Sequence, residues 1–182
     1  WRHYLEEELD MHNSHQSFSA RQRIRNEMGH SDNQLVWFTD ARPAREFDQT
    51  MQALDVLHEW VTNIKTNPDA GVAANRPASA QDACFATDGS LIAQGADVWN
   101  GVLDDASAGA CTQSFPLYST SRIVAGGPIE GSVFKCSLKP LDVALSDGTY
   151  GNWVPDAAQI GRLQAVFPDG VCDYNAPDQG RP

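Results

Sequence analysis

The sequence predicts an α/β fold, and three observations carry that reading. A short apolar run, Leu35-Val36-Trp37-Phe38, suits a buried strand. The segment that follows it, between Phe47 and Ile64, places apolar residues at three- and four-residue spacing, as a helix flanking a sheet does. Beyond Asn75-Arg76-Pro77 the texture changes: residues 78–150 are rich in Gly, Ser, Ala and Asp, and no helical period persists. The expected organisation is therefore an α/β segment over residues 1–76, followed by an irregular, cysteine-containing region over residues 77–182 packed on it.

Taken in order, residues 1–16 form a short segment leading into Asp10-Met11-His12-Asn13-Ser14-His15. A helix is predicted next. Ser17 or Ser19 can cap it, Ile24 and Met28 give it an apolar stripe, and Gly29 suits its C-terminal end. After the strand, Pro43 places a loop over residues 39–45. The clearest helix carries Phe47, Met51, Leu54, Leu57, Val61 and Ile64, and Asn67-Pro68 ends it. Asp88-Gly89, between Cys84-Phe85-Ala86 and Leu91-Ile92-Ala93, reads as a hairpin turn. Gly126-Gly127-Pro128 is a break. A last helix is expected from Pro155, with Ile160, Leu163, Val166 and Phe167 on one face and Pro168-Asp169-Gly170 as its stop. The tail from Ala176 is expected to be mobile.

Composition narrows the function classes. The chain has 182 residues, enough for one domain with a core or for part of something larger. A net charge of −11 with no Lys/Arg stripe argues against nucleic acid and against an anionic membrane surface. No apolar run approaches the length of a membrane span. The opening, Trp1-Arg2-His3-Tyr4, has no initiator Met and no signal peptide, and its aromatic character reads as mid-domain. Internal cleavage of a longer precursor is the expectation.

Cys84, Cys111, Cys136 and Cys172 are even in number and lack the close pairing that zinc sites use. They read as two disulfides, which places the chain in an oxidising, secreted or periplasmic setting. Of three possible connectivities, sequential pairing (Cys84–Cys111 and Cys136–Cys172) closes two local loops, each worth about 3–4 kcal/mol of stabilisation by chain entropy. No metal and no cofactor are expected.

Five histidines offer candidate bases. His58 falls on the polar side of the long helix, and His30 follows a helix-ending glycine. His12 and His15 stand in a polar loop before a helix, with Asp10 just upstream. A general base needs an imidazole held by an acid and offered to a nucleophile, and a loop at a strand end can present one. Surface loop histidines, or a metal site of Asp10, His12 and His15, are the competing readings of the same spacing. The nucleophile is not found: there is no G-x-S-x-G elbow, no S-x-x-K and no glycine-rich phosphate loop. Trp37 and Trp60 read as core. Trp99 and Trp153 lie in Gly/Asp-rich loops, where an indole could pack on an acyl or aryl group.

Several segments together resemble a known family. They are Asp10-Met11-His12, Ser17-Phe18-Ser19-Ala20-Arg21, Asp32-Asn33-Gln34-Leu35-Val36-Trp37, Asn75-Arg76-Pro77 with Asp82-Ala83-Cys84, Lys135-Cys136-Ser137-Leu138-Lys139-Pro140, and Phe167-Pro168-Asp169-Gly170-Val171-Cys172-Asp173-Tyr174. They are similar to signatures of large secreted bacterial α/β-hydrolase-like proteins, a family of unknown function and distantly tannase-like. The resemblance runs from about Leu9 to Pro177. It implies that the chain is the C-terminal portion of an α/β-hydrolase-like protein. The missing front would carry the nucleophilic serine, as the N-terminal chain of the same precursor in a heterodimer. His12 falls on the histidine of the D-x-H motif, where the triad base is expected in the order serine, acid, histidine. Asp10 would orient it. His15 is the alternative base, although the family's second histidine aligns with Gln16.

Two functions follow. In the first, the chain belongs to a serine-type hydrolase acting on a small ester or amide. In the second, it is a non-catalytic binding or structural module of a secreted complex, its disulfide-containing half shaping a site completed elsewhere.

Overall fold

The computed structural model describes residues 1–6 and 13–180. It divides into two compact units, Trp1–Tyr118 and Ser119–Pro182. The change of texture after residue 76 is not where these units part: the hairpin predicted around Asp88-Gly89 belongs to the sheet of the first.

The first unit is a mixed α/β layer. Its elements are β1 (Arg2–Tyr4), α1 (His15–Met28), β2 (Trp37–Asp40), α2 (Thr50–Thr66), a 3-10 turn (Pro68–Ala70) running into α3 (Gly71–Ala74), β3 (Ala83–Phe85), β4 (Leu91–Gln94) and α4 (Ala110–Ser114). The sheet order is β1-β2-β3-β4. The first three strands are parallel, and β4 returns antiparallel to β3. The turn between β3 and β4 forms as its Asp-Gly predicts: Gly89 has φ 84°, and the Asp88 carboxylate accepts the Ser90 N–H at 2.9 Å.

Strand alternation gives the sheet two apolar faces. Phe38 and Cys84 are register partners and share one face. There Phe38 meets Phe18 of α1 (5.9 Å between rings) and Trp99 (4.8 Å), while Tyr4 meets Phe115 (5.1 Å). Trp37, Ala83 and Phe85 form the other face, where Ala53 and Val56 of α2 pack. Trp99, expected in a loop where it could meet a ligand, is instead a core residue whose indole N–H donates to the Val36 carbonyl. Trp37 and Trp60 are buried as expected.

Two helices differ from their sequence patterns. α1 starts two residues before Ser17, with Ser14 as its N-cap, and Ser14's own N–H donates to the Glu6 carboxylate. Ser19, inside the helix, donates its hydroxyl to the His15 carbonyl. The buried face is His15, Phe18, Ser19 and Arg21, and Met28 is exposed. Gly29 closes the helix in the left-handed conformation, its N–H on the Arg25 carbonyl. α2 forms and ends as predicted, but Met51, Leu54, Leu57 and Val61 lie on its exposed side. The face toward the sheet is a second stripe, Ala53, Val56 and Trp60. Periodicity reveals both stripes and cannot say which one the sheet takes. The Trp37–Phe85 surface takes Ala53 and Val56.

The second unit contains α5 (Ser121–Val124), β5 (Ser137–Lys139), α6 (Leu141–Ser146), α7 (Ala157–Val166) and β6 (Val171–Asp173), with β5 and β6 antiparallel. Each strand is only three residues long, too short to show a period in the sequence. Asp156 and Gln159 cap α7 reciprocally at 2.8 Å, so the helix starts after Pro155 rather than at it. Leu141, Ala144 and Val171 form a small core with Leu145, Tyr150 and Leu163, while Val166 and Phe167 are exposed. Gly170 has φ 106°, and a Cβ there would lie 2.3 Å from the Lys139 carbonyl oxygen, so only glycine fits this turn. The tail is tied down: Asp178 accepts the N–H groups of Phe134 and Lys135, and the Gln179 N–H donates to the Lys135 carbonyl at 2.8 Å.

Candidate functional site

In an open α/β sheet, ligands bind beyond the carboxyl ends of the parallel strands. β1 ends at Tyr4 and β2 at Asp40, and these two residues are register partners. The chain leaves β1 through Leu5 and Glu6 and returns at Asn13 to start α1. The segment between holds Asp10 and His12. Both lie outside the described residues, so nothing is placed for either.

The return point is described, and it is polar and buried. Glu6 is 3% exposed, Ser14 0% and His15 5%. Arg2 donates to the Asn13 carbonyl at 2.7 Å, tying the loop's end to β1. Among the described residues, three buried polar atoms here have no hydrogen-bond partner: Asn13 Oδ1, Ser14 Oγ and His15 Nδ1. Burial lowers the His15 pKa below the ordinary imidazole range, and the Glu6 carboxylate only partly offsets this. At neutral pH His15 is therefore neutral, with an unused ring nitrogen. It is not a surface loop residue.

Across from β1, Asp40 is engaged by Arg42 through Nε at 2.8 Å and Nη2 at 3.1 Å. Arg42 also donates to the Ser114 carbonyl and stacks over Tyr4 at 4.9 Å. Asp40 is thus a paired acid fixing the β2 end. The remaining histidines are elsewhere. His3 Nε2 contacts the Phe47 carbonyl at 2.9 Å, and His30 and His58 are exposed.

Two motif segments meet at the opposite end of the strands. Arg21 of α1 forms a bidentate pair with Asp82, at 2.6 and 2.8 Å, and both side chains are nearly buried. Asp82 also accepts the Val36 N–H at 2.8 Å. One carboxylate therefore joins α1, the entry to β2 and the entry to β3. The sequence alone does not pair them, because neither residue's spacing points to the other.

All four cysteines are disulfide-bonded, Cys84 to Cys111 and Cys136 to Cys172, with Cα atoms 5.7 and 5.3 Å apart. This is the sequential connectivity. Among the described residues no helix is long and apolar enough to cross a membrane.

The family model of a tannase-like family of unknown function, DUF6351, matches residues 1–182. The chain belongs to this tannase-like family. No curated protein and no solved structure matches it. Tannases are esterases, so the membership points toward hydrolase chemistry and no further. In this tannase-like chain the motif segments around Arg21, Asp82, Cys136 and Cys172 have structural roles: an ion pair joining three elements and a disulfide at the paired strands β5 and β6.

Proposed function

We propose that this chain is part of a secreted serine-type esterase or amidase of α/β-hydrolase type, in which it supplies the catalytic histidine. The observation that carries the reading is the sequence position of Asp10-Met11-His12: it falls in the connection between β1, a parallel strand that ends at Tyr4, and α1. In this reading a serine on the N-terminal chain of the same precursor attacks the substrate carbonyl. His12 takes the serine proton as the new C–O bond forms, then gives it to the leaving oxygen or nitrogen as that bond breaks. Water completes the cycle by the same transfers in reverse. Asp10 orients the imidazole, and the buried His15 and Glu6 fix the start of α1.

The partner chain has independent support. Met51, Leu54, Leu57 and Val61 form a continuous apolar stripe on the exposed side of α2, beyond what isolated surface residues explain. Among the described residues the outer edge of β1 has no strand beside it. Both features suit a sheet that continues into another chain. The same surface also suits the non-catalytic module reading, so the decision rests on His12.

The test is His12→Ala in the protein together with its serine-bearing chain, assayed on an activated ester. A general base contributes on the order of 10²–10⁴ in rate, and kcat should fall by at least that. His15→Ala should act mainly through the start of α1, lowering stability more than kcat. Near-normal kcat in His12→Ala would remove this chain from the catalytic machinery and leave the binding-module reading.

A further inference from the structure

We propose that the first unit carries a binding site for a small oxyanion, carboxylate or phosphate, in the cavity at the amino ends of β2 and β3. It lies at the opposite end of the strands from Tyr4 and Asp40 and does not depend on the hydrolase reading. The cavity has a volume of about 530 Å³, within the range of small-molecule sites, and Arg21, Arg25, Asp32, Gln34, Arg76 and Asp82 line it.

The charges in it are unequally satisfied. Arg21 is used up: Asp82 takes both of its terminal nitrogens and Gln34 takes Nε at 3.1 Å. It forms a fixed wall. Arg76 is different. One Nη donates to the Asp32 carbonyl at 2.9 Å and stands 3.8 Å from the Asp32 carboxylate. Its guanidinium lies 5.4 Å from the Trp60 ring. Among the described residues its Nε has no acceptor. A bound oxyanion would add acceptors to this guanidinium, whose side chain is 30% exposed and lines the cavity. Arg25 offers a second guanidinium, which donates from Nε to Ser31 Oγ over a long 3.3 Å.

The acidic groups do not cancel this. Asp82 is committed to Arg21, and Asp32 is shared between Arg76 and the His30 ring at 3.5 Å. Three arginines, Arg21, Arg25 and Arg76, therefore face two carboxylates, Asp32 and Asp82. In a chain of net charge −11, a locally cationic cavity is a departure from the background. A planar guanidinium fork matches carboxylate and phosphate oxygens, which sets the ligand class. Asn75-Arg76-Pro77, whose arginine the hydrolase reading leaves unused, would then serve to present Arg76.

Trp60, stacked beside Arg76, is the reporter. Tryptophan fluorescence of the intact disulfide-bonded protein is titrated at low ionic strength with citrate and, separately, with inorganic phosphate. A saturable change is expected with at least one of them, and which one responds separates a carboxylate site from a phosphate site. Arg76→Gln and Arg25→Gln should each weaken binding on the order of tenfold. Arg25 is exposed, so its variant tests the site without disturbing the Trp60 stack. Arg162→Gln, on exposed α7, should bind as the unaltered protein does. No saturable response to either anion at about 10 mM would overturn the proposal, since that is weaker than any specific site. So would unchanged binding in the Arg25/Arg76 double variant, or an equal loss in Arg162→Gln.

Discussion

The two units use a disulfide in different ways. In the first, Cys84 and Cys111 are fully buried, and their sulfurs belong to the aromatic core that also holds Phe18, Phe38, Trp99 and Phe115. In the second, Cys136 and Cys172 are half-buried and staple an antiparallel pair whose strands are three residues each. That unit's core is three buried residues, and Lys139, itself nearly buried, donates to Asp147 and Thr149 at 2.6 Å each. The loops closed are of similar length, so chain entropy values the bridges almost equally. The difference lies in what else holds each unit. A small unit without a sizeable core depends on its covalent link, and a packed α/β layer does not.

The largest effect that would break this contrast is expected from Phe38→Ala. Phe38 is fully buried between α1 and the Trp99–Phe115 cluster, and truncation should cost about 3–5 kcal/mol. Chemical denaturation followed by tryptophan fluorescence measures it. A loss below about 1 kcal/mol would mean that the aromatic cluster does not stabilise the first unit, since even a modest core truncation exceeds that.

Next in size is the Cys136→Ser, Cys172→Ser pair, expected to lose about 3–4 kcal/mol. Hydrogen exchange should show amide protection collapsing over residues 137–173 while β1–β4 stay protected. With limiting reductant, the half-buried Cys136–Cys172 bridge should open before the buried Cys84–Cys111 bridge, because thiolate attack needs access. Mass mapping that finds Cys84–Cys111 reduced first would reverse the comparison.

The smallest effect sharpens the comparison by pH. His15 has a folded pKa lowered by burial, so the unfolded chain takes up its proton first. The stabilisation tied to its neutral form is complete above about pH 6.5 and declines as pH falls below it. Asp147 is held down to about 2 by hydrogen bonds from Lys139, then from Thr149. Its contribution is complete above the ordinary carboxyl range and is lost only as pH falls from about 4 toward about 2. Amide exchange across pH should therefore loosen the start of α1 near neutrality and the Lys139–Thr149 region only in acid. Simultaneous loosening of both in the acid range would contradict the buried, neutral state of His15.

Much of the candidate site is legible only in part, for identifiable reasons. Asp10, His12 and His15 were singled out by residue type and by family pattern. Of these, only His15 lies among the described residues, and its burial could not be foreseen from a polar stretch. Glu6, which takes the Ser14 N–H, gave no signal, because a single acid before a loop looks like any solvated glutamate. Arg21 and Asp82 are far apart in sequence, and no spacing rule links them.

The sequence by itself determined the local features. It set where α2 ends, because proline cannot continue the preceding helix; where Asp88-Gly89 turns, because a positive φ there needs glycine; and that four cysteines close two bridges. It also set the α/β class, through a buried strand beside a helix of apolar period. Tertiary structure decided the rest. It chose the Ala53-Val56-Trp60 stripe of α2 over the larger Met51-Leu54-Leu57 stripe. It made strands of Arg2–Tyr4 and of Ser137–Lys139, segments too short to carry a period of their own. It buried Trp99, Lys139 and His15 in places their neighbours in sequence do not announce. The physical reason is the same throughout. A turn or a cap is satisfied within a few residues of chain, whereas burial and pairing depend on which distant surface arrives.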